Sequence, residues 1–255
     1  MKICIVSDAY YPYPSGVSEY AFYIAKYLRK LGHEVKILTT HYPNIKGVQG
    51  KEFEEGVFRV GRVFLLPANK SYATPTIGWG ISRIVKNFLK KESFDVLHLH
   101  TPIFPGLSYF ALRHSSSANV AVFHSTGFKV MSWGSKVFKK IFKKSLLKVH
   151  KKIAISPSAK NHIASYFGED FEIIPCGVDI EKFNPLVNKI SFPKSGPKIL
   201  YFGRLDRRKG LPELLKAFPL IIKEIPSAIL IVAGSGPLDK ECKKLAKNLG
   251  IVKSV

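Results

Sequence analysis

Short apolar runs alternating with segments of helical period leave this chain few folds to choose from. Lys2–Ser7, Glu34–Thr40, Phe94–Leu99, Asn119–His124 and Lys152–Ile155 read as strands. Val57–Leu66 reads as one or two extended segments, and Phe171–Ile174 as a short further strand. Helices fall between them. Val17–Leu31 carries Val17, Tyr20, Ala21, Ile24 and Leu28 at helical spacing, with Gly32 as its stop. Others are expected at Ile81–Lys91, near Pro105–Arg113, and from Ser156-Pro157, an N-cap and first-turn proline, to about Phe167. Strands alternating with helices predict an α/β fold with a mostly parallel, doubly wound sheet.

The pattern breaks in Asp179–Pro197, where Asn184-Pro185, Pro193, Ser195, Gly196 and Pro197 cluster without periodicity. It then restarts as strand Lys198–Phe202, helix Leu211–Glu224, strand Ala228–Ala233 and helix Leu238–Leu249. This predicts an N-terminal domain over 1–180, a linker over 181–197, and a second Rossmann-like domain begun over 198–255. Two strand–helix units do not cover both faces of a sheet, so the second domain reads as incomplete.

Composition narrows the function classes. An apolar fraction of 46% with 23% charged residues is that of a globular protein rather than a disordered one. Cys4, Cys176 and Cys242 are odd in number and form no CxxC pair, which argues against a disulfide framework and a cysteine-ligated zinc site. No apolar run approaches the roughly 18 residues of a membrane span, and Asp8 follows the opening apolar stretch too early for a signal peptide. The expectation is a soluble, cytoplasmic protein.

The net charge of +22 is unevenly placed: Val96–Gly168 holds no Asp or Glu. Within it, lysines from Lys136 to Lys152 surround a stripe formed by Phe138, Ile141, Phe142, Ser145 and Val149. Two readings stand for this helix. It lies on an anionic membrane, peripheral on the inner face of the cell membrane, or its stripe faces the core and its lysines are solvated. No nucleic-acid-binding motif accompanies the basic tract, so nucleic acid is not expected as a partner.

Candidate chemistry lies at strand ends, where open parallel sheets bind ligands. Pro14-Ser15-Gly16-Val17 places a glycine before a helix N-terminus, which suits an anion but taken alone is more often a plain turn. His98 and His100 share one face of a strand; without further ligands at fixed spacing they read as structural histidines. His124-Ser125-Thr126-Gly127 gathers polar groups, and His124 is able to bond a sugar hydroxyl or assist proton transfer. In Gly203-Arg204-Leu205-Asp206-Arg207-Arg208-Lys209-Gly210, Arg204 offers a bidentate fork and Lys209 a point charge, together suited to a diphosphate.

Taken in order, these stretches resemble the retaining glycosyltransferases of family 4, the group 1 type with the two-domain GT-B architecture. The likeness runs through Ser15-Gly16-Val17, Leu31-Gly32-His33-Glu34-Val35, His98-Leu99-His100-Thr101-Pro102, Pro105-Gly106-Leu107-Ser108 and Phe123-His124-Ser125-Thr126. It continues through Ile174-Pro175-Cys176-Gly177-Val178-Asp179, Phe202-Gly203-Arg204 to Lys209-Gly210, and Val232-Ala233-Gly234-Ser235-Gly236-Pro237. The phosphatidylinositol mannosyltransferase branch is the most similar. The resemblance implies a nucleotide-sugar donor, GDP-mannose or a UDP-hexose, lying between the domains. A hexose, mannose or glucose, would pass with retention to a lipid or glycan acceptor.

The resemblance also assigns roles. His124, Arg204 and Lys209 would be catalytic, and Gly16, Gly203, Arg204, Lys209 and Gly234 would bind the donor. Asp8, Tyr10, Ser15, His124, Ser125, Thr126 and Lys129 would bind the acceptor. No Asp-x-Asp metal motif occurs, which agrees with a metal-independent, cofactor-free reaction.

Two departures stand out. Ser15-Gly16 replaces the family's Gly-Gly, and no two glutamates lie eight apart, so the family's Glu-x7-Glu is missing. The chain is therefore expected to be a fragment or an inactive remnant, with activity belonging to the complete two-domain enzyme. A non-catalytic basic module holding anionic membrane lipid is the alternative. A Rossmann oxidoreductase is disfavoured, because GxGxxG is missing and Thr39-Thr40-His41 end the second strand without an acid.

Overall fold

A computed structural model describes residues 1–13, 15–43, 53–64, 66–68, 71–73, 76–102, 106–124, 147–168, 170–186 and 196–255. The chain forms two compact units, Met1–Phe183 and Asn184–Val255.

The first unit holds strands β1 (Lys2–Val6), β2 (Glu34–His41), β3 (Val57–Val63), β4 (Leu66–Ala68), β5 (Ser71–Ala73), β6 (Thr76–Ile77), β7 (Val96–His100), β8 (Ala118–Phe123), β9 (Lys151–Ala154) and β10 (Glu172–Ile173). Its helices are α1 (Gly16–Lys30), α2 (Ile81–Glu92), α3 (Leu107–His114) and α4 (Pro157–Phe167). Eight strands make one sheet in the order β10-β9-β8-β7-β1-β2-β3-β6, parallel except for β6, which runs against β3. The order reverses between β1 and β7, the mark of a doubly wound sheet.

Both faces of the central strands are covered, which is why they read as near-continuous apolar runs. Ile3 and Ile5 of β1, with Val35 and Ile37 of β2, pack against Ala21 and Ala25 of α1. The intervening Cys4, Val6 and Leu38 pack on the other side with Val85, Phe88 and Leu89 of α2 and Leu107 and Leu112 of α3. Ser15 caps α1, its hydroxyl accepting from Ser18 N at 3.1 Å, and Ser156 caps α4 in the same way.

Of the one or two extended segments expected at Val57–Leu66, two are present. β3 ends at Val63, and β4 pairs with β5 as a separate antiparallel ribbon before the chain returns as β6. The basic helix expected up to Lys152 lies mostly outside the described residues. Its last part is not helical: Lys151 and Lys152 stand on β9, and Lys148 Nζ donates to the Arg113 carbonyl at 2.8 Å. These lysines answer to strand pairing and to the exposed carbonyls that end α3, rather than to a helical stripe.

In the second unit, β11 (Lys198–Phe202) and β12 (Ile229–Ala233) are parallel neighbours, with α5 (Leu211–Glu224) and α6 (Asp239–Asn248) packed on them. Leu211, Leu215 and Phe218 of α5 join Leu230 of β12 and Cys242 and Ala246 of α6 in one core.

Candidate functional site

The reversal of strand order puts the first unit's ligand position beyond the carboxyl ends of β1, β7 and β8. Four rings meet there. His98 and His100 project from β7, His124 follows β8, and Tyr20 comes from the second turn of α1. Ring centroids lie 4.9 Å apart for His100–His124 and for Tyr20–His124, 5.2 Å for His98–His100 and 5.5 Å for Tyr20–His100.

His100 is 4% exposed. Among the described residues neither of its ring nitrogens has a hydrogen-bond partner, nor do His98 Nδ1 and His124 Nε2. Burial pushes His98 and His124 down to about 4, with repulsion from His98 adding to the effect on His124, and it holds His100 well below the usual histidine range. All three are neutral imidazoles at pH 7. Each offers one donor and one acceptor, a match for hydroxyl groups. Among the described residues, no group of three or more His, Cys, Asp or Glu is arranged to hold a metal ion. The sequence reading of His98 and His100 as structural missed their meeting with His124, because only the sheet brings residues 98 and 124 together.

The expected acceptor residues fare differently. Ser15 uses its hydroxyl in the α1 cap and lies 2.9 Å from Ser18 Oγ. Tyr10, at 1% exposure, packs its ring among Ile3, Ile5 and Ala21 in the core. The Asp8 carboxylate is tied into the fold. Oδ1 accepts from Thr76 N at 3.1 Å, Thr76 Oγ1 at 2.5 Å and Leu107 N at 3.1 Å, joining the end of β1 to β6 and capping α3 from a distance. Gly106 leaves room for this, because a Cβ there would lie 2.8 Å from Asp8 Oδ2. Ser125, Thr126 and Lys129 lie outside the described residues. Gly16 opens α1, and among the described residues a Cβ on it would meet nothing within 4 Å.

In the second unit the chain from Gly203 to Gly210 links the carboxyl end of β11 to α5. Its backbone is pinned from both sides. Gly203 N donates to Ala233 O at 3.0 Å, Leu205 N to Ser235 O at 3.0 Å, and Leu238 N to Leu205 O at 3.0 Å. Gly234 permits this seam: its φ is +155°, and a Cβ there would lie 1.9 Å from Gly203 O. Arg204, between two anchored residues, has its own carbonyl bonded by Tyr201 Oη at 3.1 Å. Arg204 Nη2 lies 3.1 Å from Asp206 Oδ2, and Lys209 ends an exposed 3-10 turn whose amide donates to Asp206 O at 3.0 Å. A guanidinium and an ammonium thus stand on one short, fixed loop at a strand end, the arrangement suited to a diphosphate.

Family models match both parts of the chain. Residues 14–182 match the family model described as Glycosyltransferase Family 4, and residues 183–255 match Glycosyl transferases group 1. Phosphatidyl-myo-inositol mannosyltransferase of Mycolicibacterium smegmatis is 32% identical over 241 residues, 94% of this chain and 60% of that protein. A phosphatidylinositol N-acetylglucosaminyltransferase protein of Arabidopsis thaliana is 29% identical over 244 residues, 93% of this chain and 53% of that protein. The chain therefore spans between half and two thirds of the length of these relatives.

A glycosyltransferase from Rickettsia africae superposes with a TM-score of 0.69 at 19% identity, covering 99% of this chain and 66% of that one. Sucrose-phosphate synthase from Thermosynechococcus elongatus superposes with a TM-score of 0.68 at 18% identity, covering 100% of this chain and 69% of that one. The fold is that of the GT-B glycosyltransferases. The chain belongs to Glycosyltransferase Family 4, with its second unit matching the glycosyl transferases of group 1.

Proposed function

We propose that this chain carries the acceptor-binding unit and the donor-diphosphate loop of a retaining hexosyltransferase. The donor is a nucleotide sugar, GDP-mannose or a UDP-hexose, and no metal or cofactor takes part. The relatives named for phosphatidyl-myo-inositol mannosyl transfer and for phosphatidylinositol N-acetylglucosaminyl transfer support a phosphatidylinositol-type lipid as acceptor. The observation that carries this reading is Arg204, fixed at the end of β11 on the same pinned loop as Lys209.

The chemistry follows from where charge develops. As the bond between the anomeric carbon and the diphosphate breaks, negative charge gathers on the departing phosphate oxygen. Arg204 and Lys209 stabilise it without reorganising, an effect worth about 10²–10³ in rate for each well-placed donor. The acceptor hydroxyl attacks the anomeric carbon from the face the diphosphate leaves, which retains configuration, and its proton passes to the departing phosphate oxygen. Neutral His124 hydrogen-bonds a sugar hydroxyl and holds no charge that would compete with the diphosphate.

Calorimetry with GDP-mannose, UDP-glucose and UDP-N-acetylglucosamine tests the donor half. One of them is expected to bind, and the Arg204→Ala plus Lys209→Ala chain to lose that binding. Undiminished binding by the double variant ends this reading. Pelleting with phosphatidylinositol vesicles in the absence of any nucleotide-sugar binding would instead favour the non-catalytic lipid module.

A further inference from the structure

Asp206 is 4% exposed, and its carboxylate oxygens are sealed from solvent. It opens the 3-10 turn Arg207–Lys209, yet its side chain makes no capping hydrogen bond to that turn. Among the described residues neither oxygen accepts a hydrogen bond at all. Its charge is instead paired with Arg204, at 3.1 Å. A buried carboxylate held by an ion pair alone loses most of its compensation if the guanidinium swings away. The pair therefore confines Arg204, while the Asp206 carbonyl, accepting from Lys209 N, fixes the turn that carries the ammonium.

We propose that Asp206 is the positioning residue of the donor-diphosphate loop: its buried carboxylate holds the Arg204 guanidinium in the orientation that meets the terminal phosphate of a nucleoside diphosphate. This rests on the donor-binding reading given above. A preset side chain spares the ligand the cost of ordering it, and geometry rather than bulk charge then separates a diphosphate from a monophosphate.

The test is a ratio. GDP and GMP, with UDP and UMP as a parallel pair, are titrated calorimetrically into the wild-type chain, Asp206→Asn and Arg204→Ala. Asp206→Asn keeps the shape and removes the charge. It is expected to lower the preference for diphosphate over monophosphate by about threefold to tenfold, the amount tied to one ordered side chain. Removing a negative charge without any positioning effect moves the ratio the other way, because the diphosphate is the more anionic ligand. A ratio that rises or stays level overturns the proposal.

A second measurement needs neither a ligand nor a variant. In the unliganded wild type the Arg204 Nη2–H that faces Asp206 is expected to give an exchange-protected nitrogen signal, distinct from that of exposed Arg208. Coincidence of the two signals overturns the proposal even if Asp206→Asn does not fold. If the wild type binds no nucleotide while Arg204 stays protected, the donor reading falls and the Asp206–Arg204 hold stands.

Discussion

Lys26 Nζ lies 2.9 Å from Asp179 Oδ2, and this pair fastens α1 to the segment that follows β10. Asp179 is nearly buried, and its other oxygen accepts from the amides of Glu181 and Lys182 at 3.2 Å each. The hydrogen bond from Lys26 holds the Asp179 carboxyl down at about 2, against the penalty of burial. A carboxyl depressed in the folded state adds stability above its unfolded value near 4, and that stability is lost as pH falls towards 2. Lys26→Met is expected to lower the thermal midpoint at pH 7, with the gap from wild type closing as pH drops from about 4 to about 2. Calorimetric melting across that range checks it, and a gap that does not change with pH would dismiss the pair as its source.

The buried histidines set a second acid response of the same direction and a different window. His98 and His124 sit at about 4, lowered first by burial, and burial also holds His100 well below the usual histidine range. The unfolded chain takes up these protons near pH 6.5 while the folded chain refuses them, so stability falls as pH drops from about 6.5 to about 4. His100→Leu, which removes an imidazole with no described partner, is expected to flatten that slope. His124 is expected to show no imidazole titration between pH 5 and 8 by proton NMR, and a midpoint near 6.5 would mean that the ring is not enclosed as described.

Two glycines at the expected donor site separate folding from binding. Gly234→Ala would push a Cβ to 1.9 Å from Gly203 O at a φ of +155°, so the seam between the two strand-end loops cannot close. The expected cost is about 2 kcal/mol or more, read as a lowered melting midpoint or loss of the second unit's fold. Gly16→Ala meets no atom of the described residues within 4 Å, and its midpoint is expected to be unchanged within about 0.5 kcal/mol. Any loss of nucleotide-sugar binding in Gly16→Ala then reports a ligand at the α1 N-terminus. Equal binding by this variant and wild type would leave Gly16 as a plain turn.

The strand–helix alternation was legible because central strands buried on both faces need unbroken apolar runs: Ile3 and Ile5 serve one face, Cys4 and Val6 the other. The start of α4 was legible because Ser156 and Pro157 mark it locally, whereas the Ser15 cap, which starts α1 at Gly16, was not read from the sequence. What local pattern could not carry is contact across the chain. Asp8 follows the first apolar run and was expected to bind the acceptor, but nothing local shows that its partners are Thr76 and Leu107, 68 and 99 residues away. Tyr10 lies in a polar, proline-rich loop and is nonetheless core, because α1 folds back over it. In the second unit, Arg204 and Lys209 stood out through type and spacing. Asp206 did not, since a carboxylate in a basic turn reads as solvated until its burial is known.

Asp8 gives the sharpest separation between a structural tie and an acceptor contact. Burial raises its carboxyl above the usual range, only partly opposed by the bonds from Thr76 and Leu107. The sign is thus opposite to that of Asp179: a carboxyl raised in the folded state favours folding at low pH and weighs against it as pH rises through the folded value. Asp8→Asn keeps the Oδ1 acceptor for the amides of Thr76 and Leu107 and removes the disfavoured charge, so its melting midpoint at pH 7 is expected to match or exceed wild type. Asp8→Ala leaves those buried donors without an acceptor and is expected to cost about 1–3 kcal/mol. If Asp8 serves only the fold, lipid-acceptor binding by Asp8→Asn matches wild type. A variant with intact melting that no longer binds phosphatidylinositol vesicles would show that Asp8 serves the acceptor site as well as the tie between β1, β6 and α3.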